Sequence, residues 1–380
     1  MTTESTMGGP AVESAVTAVA KPKPAGSGWS STRSAWSFLA PFMVVYLIFI
    51  LYPVVQAVWM GFYERDLLSL DRQEFIGLDN YGEMFWGNGL VWKVGTMWPW
   101  RILGLLGIIP AVDAYRRGKL GLGWLVAIIV GLIAVFGVAM GIHPGEGGRW
   151  NDSQFWPSFG NTLVFVIMST PVIVGVGLAM AMALNRPGRL VGVLRTLFFA
   201  PYVLSVSVLT LIWAFLLSPQ LGLIGEFWRS IGLEPVSWLT DPTLAMPTIV
   251  ALTLWWTVGF NVVLFLAGLQ DIDESQYEAA ALDGANGWQR FRHITVPGLR
   301  RTLLLITVLQ IIASFQIFGQ VFILTRGGPN GATRVSIQHI YEAAFRDAQL
   351  GYASAMSVFL FVVMVGVSAL QFSFMGGDNR

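Results

Sequence analysis

The stretch PTIVALTLWWTVGFNVVLFLAGL, residues 247–269, contains no Asp, Glu, Lys, Arg or His. A helix needs about 20 apolar residues to cross the hydrocarbon core of a bilayer. A helix on the surface of a soluble domain would show a charged face at that length, so this run reads as a membrane span. Working outward, the runs at 36–62, 120–142, 160–184, 196–217, 302–325 and 353–375 share the property. An eighth, about 94–113, is weaker, because it carries Pro99, Arg101 and Pro110. Trp98, Trp100 and Arg101 at its start suit an interfacial belt with a snorkelling arginine. A re-entrant or surface helix is the alternative there.

Composition agrees. Of 380 residues, 54% are hydrophobic and 12% charged, with a mean hydropathy of +0.63. Soluble domains carry about 25% charged residues. The near-neutral net charge offers no basic field for nucleic acid. With no cysteine there is no disulfide framework, thiolate metal site or thiol nucleophile. Residues 1–33 are rich in Ser, Thr, Ala, Pro and Gly, and read as a disordered cytoplasmic tail. No apolar stretch lies in the first twenty residues, so a cleavable signal peptide is not expected.

Eight spans with a cytoplasmic amino terminus place Arg116, Arg117 and Lys119, then Arg186, Arg189 and Arg195, then Arg290, Arg292, Arg300 and Arg301 inside. Those are the basic loops that the positive-inside rule requires. The outside segments mix acid with base, as at Glu226, Arg229, Glu234 and Asp241. Both termini are therefore expected in the cytoplasm.

The longest inside connection, 270–301, reads QDIDESQYEAAALDGANGWQRFRHITVPGLRR. Glu278 to Leu282 is strong helix former, and Asp283 to Gly287 is a turn of the kind that ends a helix. Trp288, Phe291 and Ile294 then put an apolar stripe on a second short helix, which Pro297 closes. A helix–turn–helix of this kind can dock a partner.

The loop resembles the signature of permease subunits in binding-protein-dependent ABC importers. Glu278-Ala279-Ala280, Asp283-Gly284-Ala285, Phe291 and Ile294-Thr295-Val296-Pro297 carry the likeness, with Val296 for the usual Leu. It extends to Phe75-Ile76-Gly77-Leu78-Asp79-Asn80-Tyr81, Gly160-Asn161-Thr162, Leu324-Thr325-Arg326-Gly327-Gly328-Pro329 and Gly351-Tyr352-Ala353-Ser354-Ala355. These are similar to the carbohydrate branch, the maltose-type and glycerol-phosphate-type permeases. The resemblance implies an all-α polytopic membrane protein of about eight transmembrane helices, with an importer domain over 34–380. A six-helix permease core would carry an inserted hydrophobic hairpin at about 93–145, a departure from the family pattern.

The resemblance also implies that Glu278, Ala279, Ala280, Asp283, Gly284 and Ala285 dock an ATPase subunit. A second, homologous permease, two ATPase subunits, an extracellular solute-binding protein and membrane lipid are the implied partners. The 218–246 and 326–352 loops would receive the binding protein. The setting implied is the bacterial cytoplasmic membrane.

No Gly-x-x-x-x-Gly-Lys-Ser/Thr stretch is present to cradle ATP phosphates. No cofactor or metal is expected in this chain, ATP and Mg being expected on the partner ATPases, and no catalysis of its own. The spans lack the ionisable groups that usually couple a carrier to protons or sodium. Uncharged polar residues within the spans suit a neutral solute instead. Thr253, Thr257 and Asn261 recur at four-residue spacing beside Trp256, and Ser314, Gln316 and Gln320 interrupt 302–325, with Gln316 and Gln320 on one face. These seven are the candidate path for a sugar or related polyol. Interhelical hydrogen bonding is the competing use of the same residues. An ATP-independent carrier or channel, and an intramembrane enzyme using Asp271, Asp273 and Glu274, are the alternative functions.

Overall fold

The computed structural model describes residues 28–68, 73–86 and 152–375, the strand pairs at 91–92 and 142–143, and isolated positions at 108, 112–113, 115–116 and 128. The expected hairpin at 93–145 therefore lies almost wholly outside the described residues. Contacts divide the chain into two units, up to Val55 and from Gln56 onward.

In the first unit, helix α1 (Gly28–Tyr46) begins inside the stretch expected to be tail. A π-turn at Leu47–Leu51 joins it to α2 (Tyr52–Met60), so Trp36–Met60 forms one span. Pro53 has no N–H to offer the carbonyl four residues back. The Tyr52 N–H just before it reaches the carbonyl of Leu47, five residues back, which widens the turn and lets the helix continue.

The second unit continues with a small hairpin of strands β1 (Tyr63–Arg65) and β2 (Gln73–Phe75), pairing Tyr63 with Phe75. Helix α3 (Asp79–Trp86) follows, and its Asn80 amide donates to the carbonyls of Gly61 and Tyr63 at 3.0 and 3.1 Å. Strands β3 (Val91–Trp92) and β4 (Ile142–His143) form a second antiparallel pair.

The helical core is α4 (Phe155–Leu184), α5 (Arg189–Val203), α6 (Val206–Leu216), α7 (Leu223–Ser230) and α8 (Ala245–Gln270). The loop helices α9 (Glu274–Leu282), α10 (Gly287–Arg290) and α11 (Val296–Gly298) precede α12 (Arg300–Phe315) and α13 (Gly319–Leu324). Helices α14 (Ser336–Tyr341) and α15 (Leu350–Met375) complete it.

Helix α8 packs on α4 and α5, and α12 packs on α4 and α15. Ala181, Val262, Phe265, Leu299 and Ile306 fill the centre of that packing. Five described helices are long and apolar enough to span, or six if the α5–α6 pair is one span. The two further spans of the expected eight fall in the undescribed hairpin.

Three expectations need correction. Residues 196–217 are not one straight helix, because α5 and α6 meet at 98°. Leu204 and Ser205 adopt extended backbone angles there, and the Ser205 hydroxyl accepts the Val208 N–H as the cap of α6.

The run 302–325 is also broken, since Gln316 caps the end of α12 and α13 restarts at Gly319. Gln316 and Gln320 thus do not share a face of one helix. A gap in a span is tolerated where it lines a cavity rather than lipid.

Finally, Pro297 does not close the second loop helix. The chain passes through a π-turn at Phe291–Thr295, with the Val296 N–H reaching Phe291, and α11 carries Pro297 in its first turn. The widened turn ahead of a proline repeats the device used before Pro53.

Candidate functional site

Two regions gather the polar residues singled out in the sequence. The first is a cavity of about 500 Å³ enclosed by α4, the α5–α6 elbow, α8, α12 and α13. Thr253, Trp256, Thr257, Asn261, Ser314, Gln316 and Gln320 all line it, although they come from three elements. No Asp, Glu, Lys, Arg or His stands among its lining residues.

The hydrogen bonds divide these residues by role. Thr253 and Thr257 donate their hydroxyls to carbonyls four residues back, at 2.8 and 2.7 Å. Their donors are therefore spent on the helix, and only oxygen lone pairs face outward. The Asn261 amide donates to the Thr257 carbonyl at 3.2 Å and to Gln310 Oε1 at 3.3 Å. The Gln310 amide in turn donates to Ser314 Oγ at 3.2 Å, and Ser314 shares a 3.0 Å hydroxyl contact with Ser169 of α4. Asn261 and Ser314 thus belong to an interhelical network across α8, α12 and α4. Gln316 and Gln320 make no side-chain hydrogen bond among the described residues, and the buried Trp256 Nε1 has no partner among them. A solute could take up these amides at no cost to an existing bond.

One wall is aromatic. Tyr202, at the end of α5, stacks on Phe260 of α8 with ring centroids 4.8 Å apart and planes 13° from parallel. That contact depends on Gly259. A Cβ there would come within 2.1 Å of the Phe198 carbonyl oxygen, so α5 can approach only a glycine. Gln310 was missed although its signal was plain, a glutamine four residues before Ser314 in an apolar run. Tyr202 had no such signal, because its position depends on the elbow.

The second region is the loop joining α8 to α12. Asp273 caps α9 by accepting the Ser275 N–H at 3.0 Å, and that backbone bond holds its carboxyl below the usual range. The helix ends in a Schellman turn: Ala285 N–H reaches the Ala280 carbonyl and Gly284 N–H the Ala281 carbonyl, at 2.9 and 3.1 Å. Gly284 takes φ +73°, a left-handed conformation that favours glycine. Asn286 and Gln289 then form a capping box that starts α10.

Tyr277 of α9 and Thr295 beyond α10 share a 2.9 Å hydroxyl contact that ties the two arms. Glu278, Ala279, Asp283 and Gly284 are exposed, and Ala280 and Ala285 half-buried. Ala280, Asp283, Gly284 and Ala285 line an open hollow of about 360 Å³. Beside it, Leu282 and Trp288 are 90% and 67% exposed.

At the end of the core remote from this loop, Asp152 accepts from His339 Nε2 at 2.6 Å and from the Tyr352 hydroxyl at 2.5 Å. Burial pushes the Asp152 carboxyl up. The hydrogen bonds from His339 and Tyr352 outweigh that and bring it below the usual carboxylate range. Glu83 nearby is raised, first by burial and then by the charge of Asp152.

A cavity at broken helices, lined by uncharged polar groups within a bundle of apolar spans, fits a membrane transport subunit. The family model for the inner membrane component of binding-protein-dependent transport systems matches residues 173–374. The lactose transport system permease of Rhizobium radiobacter is 33% identical over 276 residues, covering 66% of this chain and 92% of that protein. The sn-glycerol-3-phosphate permease of Agrobacterium fabrum is 34% identical over 59% of this chain and 76% of its own length. The sulfoquinovosyl glycerol permease of the same organism is 26% identical over 87% of each.

Among solved structures, a bacterial ABC transporter that imports the acidic polysaccharide alginate shares the fold. Its TM-score is 0.64 at 19% identity, covering 93% of this chain and 99% of that one. The chain belongs to the family of inner membrane permease components of binding-protein-dependent ABC importers. It is accordingly a multi-pass membrane protein.

Proposed function

We propose that the chain moves an uncharged saccharide or related polyol inward by alternating access, with the cavity as the solute's station in the membrane. The observation that carries this is the cavity's lining, which combines free amides, hydroxyl oxygens and a stacked aromatic wall with no ionisable acid or base. Amide and hydroxyl groups suit the hydroxyls of a sugar, and aromatic faces suit its C–H faces. A charged solute would leave its charge unpaired in a low-dielectric site. The relative named for lactose supports a neutral sugar, whereas those named for glycerol phosphate and sulfoquinovosyl glycerol, both anions, support only the sugar or polyol part of the reading.

Energy comes from partner ATPase subunits that bind ATP and Mg and seat the α9–α10 loop, with Leu282 and Trp288 as its apolar contacts. A second, similar permease completes the bundle. An extracellular solute-binding protein delivers the solute, and a solved relative in complex with a periplasmic protein supports that arrangement. The chain itself performs no bond chemistry in this scheme, and both of its termini face the cytoplasm.

Uptake of labelled neutral disaccharides by vesicles holding the complete complex tests the reading. ATP-dependent accumulation, reduced by Gln316→Ala and Gln320→Ala with assembly intact, is expected. Downhill uptake by this chain alone, indifferent to ATP, would instead make it a carrier.

A further inference from the structure

Apart from the translocation cavity, α6, α7 and the first half of α8 enclose a groove of about 420 Å³. Trp213 comes from α6, Ile224 from α7 and Trp238 from the loop between α7 and α8. Pro247, Ala251 and Trp255 come from successive turns of α8. No acidic or basic side chain lines the groove. Its single hydroxyl, on Thr248, is spent on the carbonyls of Leu244 and Trp238 at 2.8 and 3.3 Å.

The position of the mouth says what can enter. Pro247, Ala251 and Trp255 form one exposed stripe of α8, with Trp255 45% exposed. Helix α6 turns Trp213 and Leu217 into the groove and exposes Leu211, Ile212 and Phe215 on its other faces, and α7 exposes Leu223 and Phe227. The mouth therefore lies among apolar residues of α6 and the first half of α8, capped at one end by α7 and the loop at Trp238, and along α6 and α8 the surrounding medium in a bilayer is hydrocarbon. From Leu244 to Trp255 it follows α8 for about 16 Å. That matches one leaflet's hydrocarbon depth, about 15 Å. We propose that the groove holds one acyl chain of a phospholipid from the leaflet remote from the α9–α10 loop.

An acyl chain gains no hydrophobic energy on moving from the bilayer into the groove. Its retention rests on dispersion contacts with Trp213, Trp238 and Trp255, so the chain is ordered and exchangeable. The groove also shares walls with the translocation cavity. Leu252 and Trp255 line the groove, and their neighbours Thr253 and Trp256 line the cavity. A bound chain would prop α6 against α8 at the height where both border the solute path.

The test uses the complete importer in vesicles of phosphatidylethanolamine and phosphatidylglycerol, doped with a phosphatidylethanolamine carrying a mid-chain diazirine. Photolabelling should mark Ala251 and Trp255 several-fold more heavily than Ile212 on the open face of α6. Equal labelling would mean ordinary annular lipid and overturns the site. Native mass spectrometry of the detergent-purified complex should find a retained phospholipid in wild type and in Leu211→Trp, and its loss in Ala251→Trp. Retention by Ala251→Trp overturns the proposal. So does efficient short-range cross-linking of Ala251→Cys to a second permease, which would make the groove a protein interface. If Ala251→Trp does not assemble, wild-type photolabelling decides alone.

Discussion

The Asn261 side-chain amide reaches Gln310 Oε1 at 3.3 Å, joining α8 to α12 beside the cavity. Asn261 keeps a second bond to its own helix, whereas Gln310 has only Asn261 and Ser314. Gln310 is therefore the bridge of the network. Replacing it with Leu removes one interhelical bond, to Asn261, worth about 0.6 kcal/mol on average in membrane proteins, and one bond within α12, to Ser314. The complex should lose roughly 0.6 kcal/mol of stability from the interhelical bond by that reckoning. Transport should fall much further, because Asn261 is then free to turn toward the solute path. Thermal unfolding in detergent, set beside vesicle uptake, separates the two effects. Equal, small losses in both would reduce Gln310 to packing.

Gly259 tests the aromatic wall. A Cβ there meets the Phe198 backbone at 2.1 Å, and backbone cannot move aside as a flexible side chain can. Gly259→Ala should cost about 1–3 kcal/mol, the usual range for overpacking. It should also separate Tyr202 from Phe260. The expected readout is a lower unfolding temperature together with weaker solute uptake. Wild-type behaviour on both counts would show that α5 does not depend on this approach.

The Schellman turn at Gly284 gives a graded series. Asn tolerates left-handed backbone better than other non-glycine residues, whereas Val does not. Nothing lies within 4 Å of an added Cβ there, so the conformation and not the space is limiting. Gly284→Asn should keep the ATPase subunits through co-purification. Gly284→Val should lose most of them while the membrane helices stay folded by circular dichroism. Equal retention by both variants would mean the turn is not needed for docking.

Asp152 makes the remote end of the bundle acid-sensitive. Its carboxyl lies below the usual range in the folded protein, so the unfolded chain takes up a proton first as pH falls. The stabilisation is complete at neutral pH and disappears as pH drops through the depressed value. Asp152→Asn should lower the unfolding temperature at pH 7 and flatten its decline in acid. Parallel wild-type and variant curves down to about pH 3, below the ordinary Asp value of about 3.9, would contradict this.

Much of this was legible because membrane spans are written in composition. Runs such as 247–269 and 160–184 appear as α8 and α4 with small shifts at their ends. The polar interruptions Thr253, Asn261 and Gln320 were legible for the same reason, standing against an apolar background. The breaks were not. Leu204–Ser205 and Gln316–Phe318 sit inside apolar runs, and hydropathy does not register backbone direction. Pro297 misled in the opposite sense, because a π-turn absorbed it. Tyr202 and Phe165 reach the cavity only through tertiary packing, which no local spacing encodes.

The elbow between α5 and α6 has a mechanical consequence. A straight helix passes a push along its own axis, so its two ends move together. At 98° almost none of a displacement along α5 points along α6, and α6 receives it broadside. Tyr202 and Val206 lie on either side of that corner, both at the cavity wall. A stroke delivered to the base of α5 would thus act as a crank, opening or narrowing the chamber sideways while the outer helix keeps its depth in the bilayer.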